Sequence, residues 1–322
     1  MSRLRQLAES RSRPIVTAEF PSIDGGNLDT VKAKLDPILA FVDAINATDN
    51  PAAHAHASNS SIAIALKMLG AEPIMQVVCR DKNRLAAQAD IVGAALFGVV
   101  NVCALTGDDV TAGDEPQARR VFDLDGPQLV KVMSGLAEGR YLSGRKISPA
   151  PELFVGAVEN PFGPPQHYRV ERAKLKSDAG ARFMQLQIGY QPLVLESFIA
   201  GCVANGVAAR TALLPTVVLT KTARALSFMH DNVPGISVPE PTRARIAGAS
   251  DIPEESFQLT LELARHALSL DGVAGIHIAD FRHDGSLARL VSELNLSVSE
   301  PTDPSAPSDP SDPSEPNAPT AR

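Results

Sequence analysis

The chain has 322 residues, a formal net charge of −7 at pH 7 and 44% hydrophobic residues. That length can bury a large core, and the acidic balance argues against non-specific nucleic-acid binding and against attachment to an anionic membrane. Trp is absent and Tyr occurs three times, so no aromatic platform for single-stranded nucleic acid is expected.

Met1 to Arg13 is polar and Arg-rich and reads as an N-terminal extension without the apolar h-region of a secretory signal. No run approaches the roughly 18 apolar residues of a membrane span. Cys79, Cys103 and Cys202 form no CxxC pair, and their odd number fits a reducing, cytoplasmic location. Cys79 and Cys103 lie in apolar runs and read as small buried hydrophobes.

From Pro14 onward, β-rich runs alternate with helical patterns. Pro14 to Phe20 reads as a strand, Asn27 to Leu39 as a helix, Phe41 to Ala47 as the second strand and Ser58 to Leu69 as its helix. Pro73 to Cys79 is the third strand, followed by an amphipathic helix over Lys82 to Phe97 that Gly98 terminates. Val99 to Leu105 is the fourth strand. A longer excursion, Asp109 to Asp125, leads to a helix near Gln128 to Glu138. Leu153 to Val158, Arg182 to Ile188 and Val207 to Leu214 read as strands five to seven. The helices Tyr168 to Asp178 and Pro192 to Asn205 lie between them. Thr220 to His230 and Glu254 to Leu270 are helical, with a Pro-rich connection between them. Val273 to Ala279 is the eighth strand, and a last helix lies near Leu287 to Leu294.

Eight strands alternating with helices predict a parallel sheet closed into a (β/α)8 TIM barrel spanning residues 14–295. The rival, an open doubly wound sheet, calls for a Gly-rich loop after the first strand, where Glu19-Phe20-Pro21 stands instead. Residues 296–322 repeat Pro, Ser and Asp. They carry too little apolar surface to offset ordering entropy, so a disordered tail is expected there.

In such a barrel, chemistry sits at the C-terminal ends of the strands. The polar residues expected there are Glu19; Asn46, Thr48 and Asp49; Gln76 and Arg80; Thr106 to Asp109; Glu159 and Asn160; Gln185 and Gln187; and His277 and Asp280. A carboxylate in an apolar strand is costly to bury unless protonated or bonded. Glu19 therefore reads either as a proton-delivering acid or as a solvated or Arg-paired rim residue. Asp108, after Thr106-Gly107, reads as a ligand contact or a turn residue. Gln76 and Gln187 need either a heterocycle's edge or backbone partners. His54 and His56 fall on different helix faces with no completing ligand, so no metal is expected. His277 reads as a satisfied core residue. Arg80, Lys82 and Arg84 read as a solvated helix start that could still suit a phosphate.

Thr48-Asp49-Asn50-Pro51, Cys79 to Arg84, Leu105 to Asp108, Val121 to Asp125, Glu19-Phe20-Pro21, and Ser177 to Ala181 followed by Gln187 resemble segments of the methylenetetrahydrofolate reductases, in order, over residues 14–295. The resemblance implies a (β/α)8 barrel carrying FAD. It implies reduction of 5,10-methylenetetrahydrofolate to 5-methyltetrahydrofolate by ping-pong hydride transfer from NADH or NADPH. By position, Glu19 matches the acid that activates the folate, and Asp108 a carboxylate near flavin and pterin. Thr48, Gln76, Ala157 and Lys176 match flavin contacts, Gln187 a substrate contact, and Phe228 or Met229 a substrate-stacking aromatic. The sequence departs from the family pattern at Gln76, where many relatives have His, and over Val158 to Phe162. It departs again at Arg169, where an acidic ribose contact is common. The family includes flavin-free enzymes, tetrahydrofolate-dependent demethylases and chains fed by electron-donating partner subunits, and a homo-oligomer or such a partner subunit is an open expectation. A demethylase and a non-catalytic barrel subunit are therefore the alternative expectations.

Overall fold

The computed structural model describes residues 1–233, 235–296 and 298. A first helix, α1 (Arg3–Ser10), precedes β1 (Ile15–Glu19), α2 (Leu28–Leu39), β2 (Ala44–Ala47), α3 (Asn59–Met68), β3 (Pro73–Val78), α4 (Arg84–Ala95) and β4 (Asn101–Leu105). Then follow α5 (Gly126–Ala137), β5 (Phe154–Glu159), α6 (His167–Ala179), β6 (Phe183–Leu186), α7 (Pro192–Ala204), the short α8 (Val207–Arg210) and β7 (Ala212–Leu219). The chain ends its described part with α9 (Ala223–Asn232), α10 (Glu240–Ala247), α11 (Ile252–Ser269), β8 (Gly275–Asp280) and α12 (Ser286–Glu293). Every strand pairs in parallel with its sequence neighbours, and β8 pairs with β1, closing the expected barrel.

Strand residues alternate between two apolar environments, as the period of two requires. Val16, Ala18, Ile45, Met75, Val77, Val102, Val155, Ile276 and Ile278 face the helical layer. Ile15, Ala44, Ile74, Cys103, Phe154, Phe183 and Leu214 fill the barrel's N-terminal half. Phe154 and Phe183 stack there with centroids 5.5 Å apart. The Phe183 ring takes the space a side chain at position 156 would need, so Gly156 is the residue that fits opposite it. Each fully buried Leu, Ile, Val or Phe of these layers contributes roughly 1.5–3 kcal/mol.

The structure corrects three expectations. Residues 1–13 are not a bare polar extension: Leu4 and Leu7 of α1 plug the barrel's lower end, and the Glu72 carboxylate caps the helix through the Arg3 and Leu4 N–H groups. The seventh strand begins after Val207–Arg210, which is helical, and runs through Pro215 to Leu219. The apolar run continues past the proline, which cannot donate to the ladder, so a reading that stops at Pro215 truncates the strand. The Pro-rich connection contains a helix, α10. Of the tail expected over 296–322, Leu296 and Val298 pack against the outer core, and the rest lies outside the described residues. Among the described residues no helix is long and apolar enough to cross a membrane.

Candidate active site

A cavity of about 240 Å³ opens at the C-terminal ends of the strands, lined among others by Glu19, Thr48, Gln76, Asp108, Gln187 and His277. Alternation explains the convergence, because Thr17 and Glu19 on β1, Gln76 on β3 and His277 on β8 all take inward positions. Glu19 and Asp108, far apart in sequence, thus share one pocket. Among the described residues, the side chains of Thr48, Gln76 and Thr216 make no hydrogen bond to protein, and the Asp108 carboxylate accepts none. Polar groups that spare their bonding capacity inside a barrel suit a flat ligand with donor and acceptor edges. Gln187 spends one acceptor on the Ile188 N–H at 3.0 Å.

The cavity floor is polar. Asn46 and Gln185 pair through both amides, with Nδ2 to Oε1 at 2.9 Å and Nε2 to Oδ1 at 3.0 Å. Both abut the His277 ring, and Thr17 Oγ1 lies 2.8 Å from its Nδ1. His277 is therefore a satisfied buried residue, yet its Nε2 also lies 3.9 Å from Glu19 Oε1. Sequence reasoning missed Thr17 and Thr216. Thr17 was legible as the inward position two before Glu19, whereas Thr216 was hidden by the truncated seventh strand.

The wall beneath Asp108 is built by Arg80, which is 2% exposed and is not the solvated cation its sequence context suggested. Its guanidinium donates to both Asp81 oxygens at 2.7 and 2.6 Å, to the Asn50 carbonyl at 2.9 Å and to the Asp108 carbonyl at 3.4 Å. It thereby ties together the loops after β2, β3 and β4. Asn50 and Ala52 in the first of these adopt left-handed backbone, φ 46° and 52°. Lys82 bonds Asp49 and Asn59, each at 2.9 Å, and Arg84 pairs with Asp123. Asn83 caps α4, and with Lys82 and Arg84 so engaged the helix start offers no free cation pair for a phosphate among the described residues. Gly107 has φ 90°, and a Cβ there would collide with Val78 and press on Arg80. Gly107→Ala is expected to destabilise the fold by about 1–3 kcal/mol, read from urea unfolding.

Burial pushes the Asp108 carboxyl above its ordinary value, and the Arg80 guanidinium partly offsets this. The unfolded chain therefore ionises Asp108 first as pH rises, and stability is lost progressively up through the folded-state value. Asp108→Asn removes that loss. The variant is expected to gain stability relative to wild type at about pH 7 compared with about pH 4, visible in urea midpoints.

Two positions matched to flavin contacts turn away from the cavity. Ala157 faces the helical layer, fully buried. Lys176, on α6, donates to the Val158 carbonyl and to the Glu159 carboxylate, both at 2.6 Å. Burial lowers its ammonium from the ordinary range, and Glu159 pulls it back up. Arg169 and Arg172 also converge on Glu159, at 3.6 and 3.7 Å. Glu159 thus answers one of the three α6 cations, and Arg172 Nε is buried without a hydrogen bond among the described residues. A buried cluster with spare cations suits the diphosphate of FAD, which Arg169, Arg172 and Lys176 would hold. Phe228 is 58% exposed on α9 and does not line the cavity, while Met229 is buried in the core beneath α9 and α10. The segment after α9 does reach the mouth, where Asn160 Nδ2 donates to the Gly235 carbonyl at 3.1 Å.

All three cysteines are buried and unpaired, and burial pushes the Cys79 thiol up to about 12. His54 and His56 are engaged separately, by the Ala52 carbonyl at 3.0 Å and by Asp24 at 2.5 Å.

No curated protein matches the chain. Among solved structures, it is similar to an uncharacterized protein from Clostridium thermocellum described as binding two copies of 5-methyl-5,6,7,8-tetrahydrofolic acid. The identity is 15%, the coverage 90% of this chain and 98% of that one, and the TM-score 0.61. DmoA from Hyphomicrobium sulfonivorans is 9% identical, with 87% of each chain covered and a TM-score of 0.49. The family model described as methylenetetrahydrofolate reductase matches residues 34–295, from within α2 through α12. With that match spanning most of the chain and seven of the eight barrel strands, the chain belongs to the methylenetetrahydrofolate reductase family.

Proposed function

We propose that the chain reduces 5,10-methylenetetrahydrofolate to 5-methyltetrahydrofolate, with NAD(P)H as the hydride source and Glu19 as general acid. The observation that carries this reading is the single cavity in which Glu19 and Asp108 face uncommitted amide and hydroxyl groups. The family and the methyltetrahydrofolate bound by the Clostridium thermocellum protein support a folate as the ligand.

The chemistry follows from the substrate. The methylene bridge opens to a 5-iminium only if the departing amine nitrogen, N10, receives a proton, which Glu19 supplies. Opening creates positive charge on the pterin side. The Asp108 carboxylate stands across the cavity to support it, and Gln76, Thr48 and Gln187 offer bonds to the ring edge. Hydride from the nicotinamide then adds to the iminium carbon. FAD, implied by the resemblance and held by the α6 cations, would relay the hydride when bound. The purified chain is accordingly expected to bind added FAD in a fluorescence-quenching titration, and Arg172→Ala to weaken that binding. Steady-state oxidation of NADH and NADPH with methylenetetrahydrofolate tests the reaction itself.

A second reading is a tetrahydrofolate-dependent demethylase, which needs no flavin, and the direct Lys176–Glu159 pair is the observation that favours it. In that case Glu19 would protonate a phenolate leaving group. Methyltetrahydrofolate would then form from a methoxylated aromatic without nicotinamide oxidation, and the two assays separate the readings.

A further inference from the structure

We propose that His277 is a positioning residue for Glu19: its ring presents Nε2–H to the Glu19 carboxylate, and Thr17 and Gln185, donating to Nδ1, hold it there. This rests on the reading of Glu19 as the acid.

The argument is one of counting donors. A neutral imidazole carries one N–H and one lone pair. The paired amides do not choose between the two tautomers, because one amide nitrogen lies against each ring nitrogen: Gln185 Nε2 at 3.2 Å from Nδ1 and Asn46 Nδ2 at 3.3 Å from Nε2. Thr17, 2.8 Å from Nδ1, does not choose either, since a hydroxyl donates or accepts. Glu19 remains. It lies 3.9 Å from Nε2, and once ionised it only accepts. The proton therefore belongs on Nε2, with Thr17 donating to Nδ1. The 3.9 Å separation closes to a hydrogen bond by a small turn of the Glu19 side chain, which is 35% exposed.

Such a donor serves an acid that must spend its proton. As Glu19 gives its proton to the substrate, a carboxylate develops at the cavity edge, and an N–H aimed at it stabilises that charge in the transition state. Other ionisable groups adjoin Glu19. Asp108 lies across the cavity, while Asp49, Arg80 and Glu159 are committed to Lys82, Asp81 and Lys176. Lys34, Asp280 and His283 line a second cavity of about 270 Å³ that also borders Glu19. Among the described residues, His277 is the basic group within ion-pair distance of Glu19.

The test uses the full-length protein. The ¹⁵N spectrum of the His277 ring, assigned by its loss in His277→Gln, should show Nε2 protonated and Nδ1 as acceptor. The opposite tautomer would overturn the proposal without any reference to activity. His277→Leu should lower kcat for methylenetetrahydrofolate about tenfold to a hundredfold, with KM within about threefold. Turnover needs protonated Glu19 and so falls as pH rises. Without the donor the carboxylate is harder to form, so this falling limb should move up by about one pH unit. His277→Gln keeps an N–H in place and should restore the limb towards wild type. An unmoved limb in His277→Leu refutes the positioning role while leaving Glu19 as the acid. If Glu19→Gln retains turnover, it is the reading of Glu19 that fails, whatever the ring's tautomer.

Discussion

Glu19→Gln is expected to reduce turnover of methylenetetrahydrofolate by a factor of about a hundred or more while leaving the fold intact. The amide has the size of the carboxyl and keeps an oxygen towards His277 Nε2, so the cavity and its floor are preserved. What it lacks is an acidic proton. The bridge opening then has to expel an amine anion, and general acid catalysis of such a step is commonly responsible for factors of about 10²–10⁴. Glu19 is only partly buried and its carboxylate forms no hydrogen bond to protein among the described residues, so unfolding free energy should stay within about 0.5 kcal/mol of wild type. Steady-state nicotinamide oxidation, folate binding by calorimetry and urea unfolding together separate these effects. Binding retained with turnover lost is the expected pattern. Turnover near the wild-type rate would remove Glu19 from the chemistry.

The barrel was legible because its signal is repetitive: eight short apolar runs, each followed by a helical pattern, leave few other closures. The inward set at the strand tops was legible in part for the same reason. Polar residues such as Glu19, Gln76 and His277 interrupt apolar runs at positions that alternation assigns to one face. Three things were not legible. The commitment of Lys176 depends on a contact between α6 and the end of β5, and no spacing rule shows that Glu159 reaches it before a ligand does. Ala157 falls one residue out of phase with the inward set, a distinction that needs the strand's true register. Arg80 sits in a run of charges that looks solvated. Its burial follows only from three loops meeting above it.

Arg80→Met should therefore be among the most destabilising single substitutions at the mouth. The methionine fills similar volume, so the loss isolates the guanidinium's bonds. Without it, the Asn50 and Asp108 carbonyls lose a buried donor, and Asp81 keeps the Asn50 amide at 3.1 Å as its remaining side-chain partner. Breaking a buried ion pair from one side costs about 3–5 kcal/mol. Asp81 is 28% exposed and can recover some hydration, which places the expectation at the lower end, about 3 kcal/mol. Arg80→Lys keeps the charge but not the planar fork, so it should fall between wild type and Arg80→Met. The site should register the change too. The left-handed backbone at Asn50 and Ala52 loses its anchor, and Asp108 loses the cation that offsets its burial. Folate turnover should drop in Arg80→Met, and adding Asp108→Asn should cost less than it does in wild type, because both substitutions act on one wall. A urea midpoint for Arg80→Met equal to wild type would show that the three loops hold their positions without the guanidinium.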